Sequence, residues 1–138
     1  MARTGHILIV DDNEEFLIAL KLMLGPHFDQ VSTINNPEQI LSEVQKNHFD
    51  LILLDMNFRA GINTGNEGLY WLQKIKVVDE DATIVFITAY GDVQLAVQSV
   101  KEGAADFIQK SWDEKKILST VLSAMQLSQS KSEIKKLK

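Results

Sequence analysis

Five polar side chains stand at or just beyond the ends of apolar runs. Asp11 and Asp12 follow Ile7-Leu8-Ile9-Val10, Asp55 follows Leu51-Ile52-Leu53-Leu54, Thr88 follows Ile84-Val85-Phe86-Ile87, and Lys110 comes two residues after Phe107-Ile108. Three carboxylates brought close together repel unless a cation or protons compensate. Hard oxygen donors suit Mg²⁺, which typically binds one or two carboxylates together with phosphate oxygens. A carboxylate nucleophile can accept a phosphoryl group, a metal and an ammonium can neutralise its oxygens, and a hydroxyl can donate to one of them. Taken singly, each residue also suits a plainer role. A carboxylate after a strand caps the next helix, so Asp12 or Asn13 suits the first helix cap; Thr88 suits a strand end and Lys110 a solvated or ion-paired site. Proximity decides between the two readings, and proximity depends on the fold.

Short apolar runs bounded by polar residues read as strands buried on both faces. The candidates are His6–Val10, a weaker one at Gln30–Ile34, Leu51–Leu54, Thr83–Ile87 and Ala105–Ile108. Helical stripes lie between them. Phe16, Ala19, Leu20, Met23 and Leu24 share one face, closed by Gly25-Pro26. Asn36-Pro37 reads as an N-cap with proline at the first helical position, ahead of Ile40, Leu41 and Val44. A third helix carries Leu69, Leu72 and Ile75, and a fourth Val93, Ala96, Val97 and Val100 before Gly103. The fifth carries Ile117, Leu118, Val121, Leu122 and Met125, with Ser111 and Glu114 at capping-box spacing. Alternating strands and helices predict an α/β fold with right-handed crossovers. A doubly wound five-stranded parallel sheet in order 2-1-3-4-5, flavodoxin-like, opens its crevice at the carboxyl ends of strands 1 and 3. Asp11, Asp12 and Asp55 would meet there.

The bulk properties narrow the setting. The 138 residues, 45% of them hydrophobic, fit one domain. With no cysteine, neither a disulfide framework nor a thiolate metal site is available. No apolar run approaches the roughly 20 residues that cross a bilayer, and the opening MARTGHILIV lacks a signal peptide's long apolar region. A cytoplasmic location without membrane contact is the expectation. The net charge of −5 argues against direct nucleic-acid binding, which needs a basic face. His6, His27 and His48 show no metal-ligand spacing, and no G-x-x-x-x-G-K-[ST] phosphate loop occurs.

The ordered set Asp11-Asp12, Asp55, Thr88-Ala89 and Lys110 resembles the receiver domain of bacterial two-component response regulators over roughly residues 6 to 126. Thr88-Ala89-Tyr90-Gly91-Asp92, Phe107-Ile108-Gln109-Lys110 and Trp112-Asp113 are most similar to receivers of enhancer-binding transcriptional activators. The resemblance implies that Asp55 is the phosphoacceptor, supplied by a phosphohistidine on a sensor histidine kinase. It implies further that Asp11, Asp12, Asp55 and the Asn57 backbone carbonyl hold Mg²⁺, that Lys110 and Thr88 meet phosphoryl oxygens, and that Phe107 turns inward when Thr88 moves. The output implied is transcription, with self-association through the helix 4–strand 5–helix 5 face or through the C-terminal helix.

Two departures from the family pattern stand out. Proline usually follows the lysine, often after a cis bond; here Ser111 follows it. A cis bond before a non-proline residue costs about 3 kcal/mol or more, so trans geometry is expected, with Ser111 as helix cap. The loop Met56 to Gly68 is about five residues longer than the usual turn, with Thr64 and Glu67 at capping-box spacing, and reads either as a tolerated insertion or as a lid. A phosphatase with an aspartyl nucleophile would place a second carboxylate where Asn57 stands, and a pure interaction module would not need all five side chains. A self-modifying switch that turns over no external substrate fits better than either. Residues 1-126 read as the receiver. Residues 127-138, where Ser128, Gln129, Ser130, Lys131 and Ser132 interrupt the core stripe, read as a helical connector toward a downstream effector domain.

Overall fold

The computed structural model describes residues 5–56, 66–89, 93–111 and 113–137. Five strands, β1 (His6–Val10), β2 (Gln30–Ile34), β3 (Leu51–Asp55), β4 (Ile84–Thr88) and β5 (Asp106–Gln109), form one parallel sheet in order β2-β1-β3-β4-β5. The helices between and after them are α1 (Glu14–Leu24), α2 (Ile40–Lys46), α3 (Asn66–Val78), α4 (Val93–Lys101) and α5 (Glu114–Leu137). Both the α/β class and the strand order expected from the sequence are present.

The central strands are apolar on both sides because both faces are covered. Ile7, Ile9, Leu51, Leu53, Val85 and Ile87 pack with Leu17, Leu20 and Leu24 of α1 and Ile117 and Val121 of α5. Leu8, Val10, Ile52, Leu54, Ile84 and Phe86 pack with Ile40 of α2 and Trp71, Leu72 and Ile75 of α3. Gly68 lets α3 approach the end of β3: a Cβ there would lie 2.7 Å from Met56 Cα, and its N–H donates to Met56 O at 2.9 Å.

Several helix details differ from the sequence reading. The buried stripe of α1 is centred on Leu17, Leu20 and Leu24, leaving Phe16 half-buried on its flank. Gly25-Pro26 enters a 3₁₀ turn, Gly25–His27, and Asn36 caps another, Pro37–Gln39, by accepting from Glu38 N at 2.9 Å. In α4 the buried side chains are the small Ala96 and Ser99, while Val93, Val97 and Val100 remain exposed. Leu122 of α5 is likewise 41% exposed, and Ala124 takes the core position. The cap of α5 is Asp113, not Ser111: its Oδ1 accepts from Lys116 N at 3.2 Å and its carbonyl from Ile117 N at 3.0 Å. Asp113 sits directly before the first helical residue, so it meets the free amides that Ser111 is too far upstream to reach. The described residues contain no cis peptide bond. The Thr64–Glu67 spacing and nearly all of the long loop lie outside the described residues.

Candidate functional site

The parallel register delivers the predicted side chains to one edge. Val10 pairs with Leu54, so Asp11 and Asp55 leave adjacent strands side by side; Asp55 pairs with Ile87, and Thr88 with Gln109. Lys110 follows β5, its amide donating to Thr88 O at 2.8 Å.

Carboxylate oxygens of Asp11, Asp12 and Asp55 all lie within 4.8 Å of one another. Asp11 and Asp55 are buried, whereas Asp12 is exposed. Lys110 Nζ stands 3.0 Å from Asp11 Oδ2 and 3.7 Å from Asp55 Oδ1. Among the described residues, one amine thus stands beside a cluster of three carboxylates, in contact with two of them. Burial pushes the Asp11 carboxyl above its ordinary range, with Asp12 adding to the rise, while the Asn13 N–H and Lys110 act in the opposite direction. The amine and the amide offset only part of the desolvation of that charge.

Asn13 takes the N-cap role that was open between it and Asp12. Its Oδ1 accepts from Phe16 N at 3.1 Å, and its own N–H donates to Asp11 Oδ1 at 2.9 Å. Asp12 is thereby left free of capping duty. Thr88 is buried, and its hydroxyl donates to the Ile108 carbonyl at 3.5 Å, away from the carboxylates. Phe107, the next residue back on β5, is half-buried against the side of the core under α3. Asn57, predicted to offer its carbonyl to a metal, lies outside the described residues.

The cluster fits a hard divalent cation. Among the described residues its donors are all carboxylate oxygens, three carboxylates outnumber the one amine beside them, and the buried Asp11 would be ionised most favourably beside a further cation. Two neighbours escaped the sequence reading. The aromatic ring of Phe16 lies beneath the Lys110 amine, 5.3 Å from Nζ to ring centroid, and Asn35 Nδ2 donates to Glu14 Oε1 at 2.5 Å across the β2 end. No spacing rule separates Phe16 from a core residue, and the Asn35–Glu14 pair arises only once β2 lies beside β1.

Comparison with known proteins bears on the chain as a whole. The family model described as response regulator receiver domain matches residues 7–122. Sporulation initiation phosphotransferase F of Bacillus subtilis is 34% identical over 107 residues, covering 78% of this chain and 82% of that protein. Transcriptional regulatory protein ZraR of Klebsiella oxytoca is 32% identical over 119 residues, covering 86% of this chain; the chain spans only 26% of that regulator. Among solved structures, the N-terminal signal receiver domain of a two-component system response regulator from Bacteroides fragilis is 44% identical, with a TM-score of 0.79 over 88% of this chain and 97% of that one. NtrX from Brucella abortus, at 24% identity and a TM-score of 0.85, shares the fold over 98% of this chain.

Proposed function

Because this chain belongs to the response regulator receiver family, we propose that Asp55 is its phosphoacceptor and that phosphorylation there switches the conformation which controls an output. Family membership implies a sensor kinase as partner. The observation that carries the assignment is the meeting of Asp11, Asp12, Asp55 and Lys110 at one sheet edge. Asp55 leaves the end of the central strand, with Lys110 poised beside it. Asp55 attacks the phosphorus of a phosphohistidine; a P–O bond forms as the P–N bond breaks, and the departing imidazole keeps the electron pair and takes a proton from solvent.

Asp11, Asp12 and Asp55 would hold Mg²⁺, which when bound supplies positive charge against the phosphoryl oxygens. Lys110 adds a second positive group. Its amine, already within 3.7 Å of Asp55, can follow the charge from the carboxylate to the acyl phosphate. Thr88 rotates from the Ile108 carbonyl to donate to a phosphoryl oxygen, and Phe107 follows into the vacated space. The domain modifies itself and turns over no external substrate. The transcriptional regulators among the relatives support transcription as the output. Residues 127–138 serve as the helical connector, and self-association through the α4–β5–α5 face or the C-terminal helix transmits the state. The exposed Val93, Val97 and Val100 of α4 favour the first of these faces.

The direct test is intact-mass measurement after incubation with acetyl phosphate and Mg²⁺. One phosphoryl adduct is expected on the parent and none on Asp55→Asn, which keeps the size and removes the nucleophile. An adduct of parental abundance on the variant would assign the acceptor elsewhere.

A further inference from the structure

We infer that Phe16 is a positioning residue for Lys110, an inference resting on the reading of Lys110 as the group that faces the phosphoryl oxygens. The amine sits on a flexible four-carbon stem and is only partly buried, with a side-chain exposure of 27%. On one side stand Asp11 Oδ2 at 3.0 Å and Asp55 Oδ1 at 3.7 Å. On another stands the Phe16 ring, its centroid 5.3 Å from Nζ. A cation at that range over a ring face is attracted by the ring's quadrupole, more strongly where water is partly excluded.

Core packing accounts for an apolar side chain at this position, since Phe16 packs against the core cluster, but not for an aromatic one in particular. Leu17, Leu20 and Leu24 already fill the buried stripe of α1, and Phe16 remains half-buried beside them. Its placement is instead tied to the acidic end of β1. Asn13 accepts from the Phe16 backbone amide while donating its own amide to Asp11, so one short segment fixes both the carboxylate and the backbone that carries the ring facing the lysine. The ring opposes a swing of the amine into solvent, and the two carboxylates hold it over the site. A flexible lysine is thereby pre-organised before a phosphoryl group arrives.

The test separates ring from bulk. Phe16→Leu keeps an apolar side chain without the quadrupole and should slow labelling by acetyl phosphate, at saturating Mg²⁺, about three- to tenfold. Phe16→Tyr should rescue most of that loss. A small donor keeps kinase docking out of the measurement. Independently of any labelling, the Lys110 ε-methylene NMR signals of the parent should be displaced by the ring's field, and the displacement should collapse in Phe16→Leu. Folded Phe16→Leu labelling within about twofold of the parent, Phe16→Tyr falling as far as Phe16→Leu, or undisplaced ε-methylene signals in the parent would each overturn the inference. A parent that takes no label strikes the phosphoacceptor reading instead, and the NMR displacement then decides whether the ring holds the amine.

Discussion

The Thr88 hydroxyl donates to the carbonyl oxygen of Ile108 across 3.5 Å, tying the end of β4 to β5 and not to the carboxylate cluster. At that length the bond is weak, so releasing the hydroxyl toward a phosphoryl oxygen costs little. Both positions of Thr88 are therefore accessible within the few kcal/mol that a two-state switch requires.

Thr88→Ala should consequently leave acceptance intact and impair its readout. The variant keeps the carboxylates and Lys110, so acetyl phosphate should still label Asp55. Phe107, half-buried beside a cleft of about 220 Å³ that it lines with Gln109, Ser111 and Ile117, should then respond less. Chemical shifts around Phe107 that change on phosphorylation as fully in the variant as in the parent would disconnect Thr88 from the switch.

Asp11 sets a stability trend with pH in the metal-free protein. Burial raises its folded pKa above the ordinary 3.8, so the folded state binds a proton more readily than the unfolded state. Its contribution is most favourable below about 3.8 and is lost as pH rises through the raised folded value. Asp11→Asn, which keeps an acceptor for the Asn13 amide, should raise the Tm of the metal-free protein near neutral pH and flatten that part of the pH profile. Mg²⁺ should raise the Tm of the parent by mass action and that of the variant by less. Equal Mg²⁺ responses in thermal melts would remove Asp11 from the metal site.

Much of this was legible in the sequence because strand ends are set by where apolar runs stop. Asp11, Asp55 and Lys110 could be placed at one edge without coordinates, since the parallel order follows from alternating strands and helices. Side-chain direction on helices was less legible. Val93, Val97 and Val100 form an apolar stripe, yet α4 docks through Ala96 and Ser99, whose small side chains permit close approach. Ser111 and Asp113 both precede α5 with side chains suited to capping, and only backbone geometry selects Asp113. Phe16 beneath Lys110 joins residues far apart in sequence, a relation that no local pattern encodes.

The packed part of α5 runs past its apolar stripe. Periodicity places the end of the core stripe near Gln126, but the helix continues unbroken to Leu137, and Ser128 is buried at 8% exposure. One turn further on, Lys131 Nζ donates to Thr83 Oγ1 at 3.4 Å, at the end of β4 opposite the phosphorylation site. Lys76 lies in the same region, its amine donating to Ala82 O at 2.8 Å, and burial, with Lys131 second, holds its pKa below the ordinary 10.5. The gain from the Lys131 contact is thus offset in part by repulsion between the two amines. Ending the chain at Gln126 should cost on the order of 1 kcal/mol, the range of one buried contact and one weak, part-buried hydrogen bond. Ending it at Ser132 should leave the Tm within experimental error. Both truncations should still label at Asp55, because every described side chain of the site lies before α5. Denaturant melts that put the whole loss between Ser132 and Lys138 would move the boundary of the globular domain to the end of the helix.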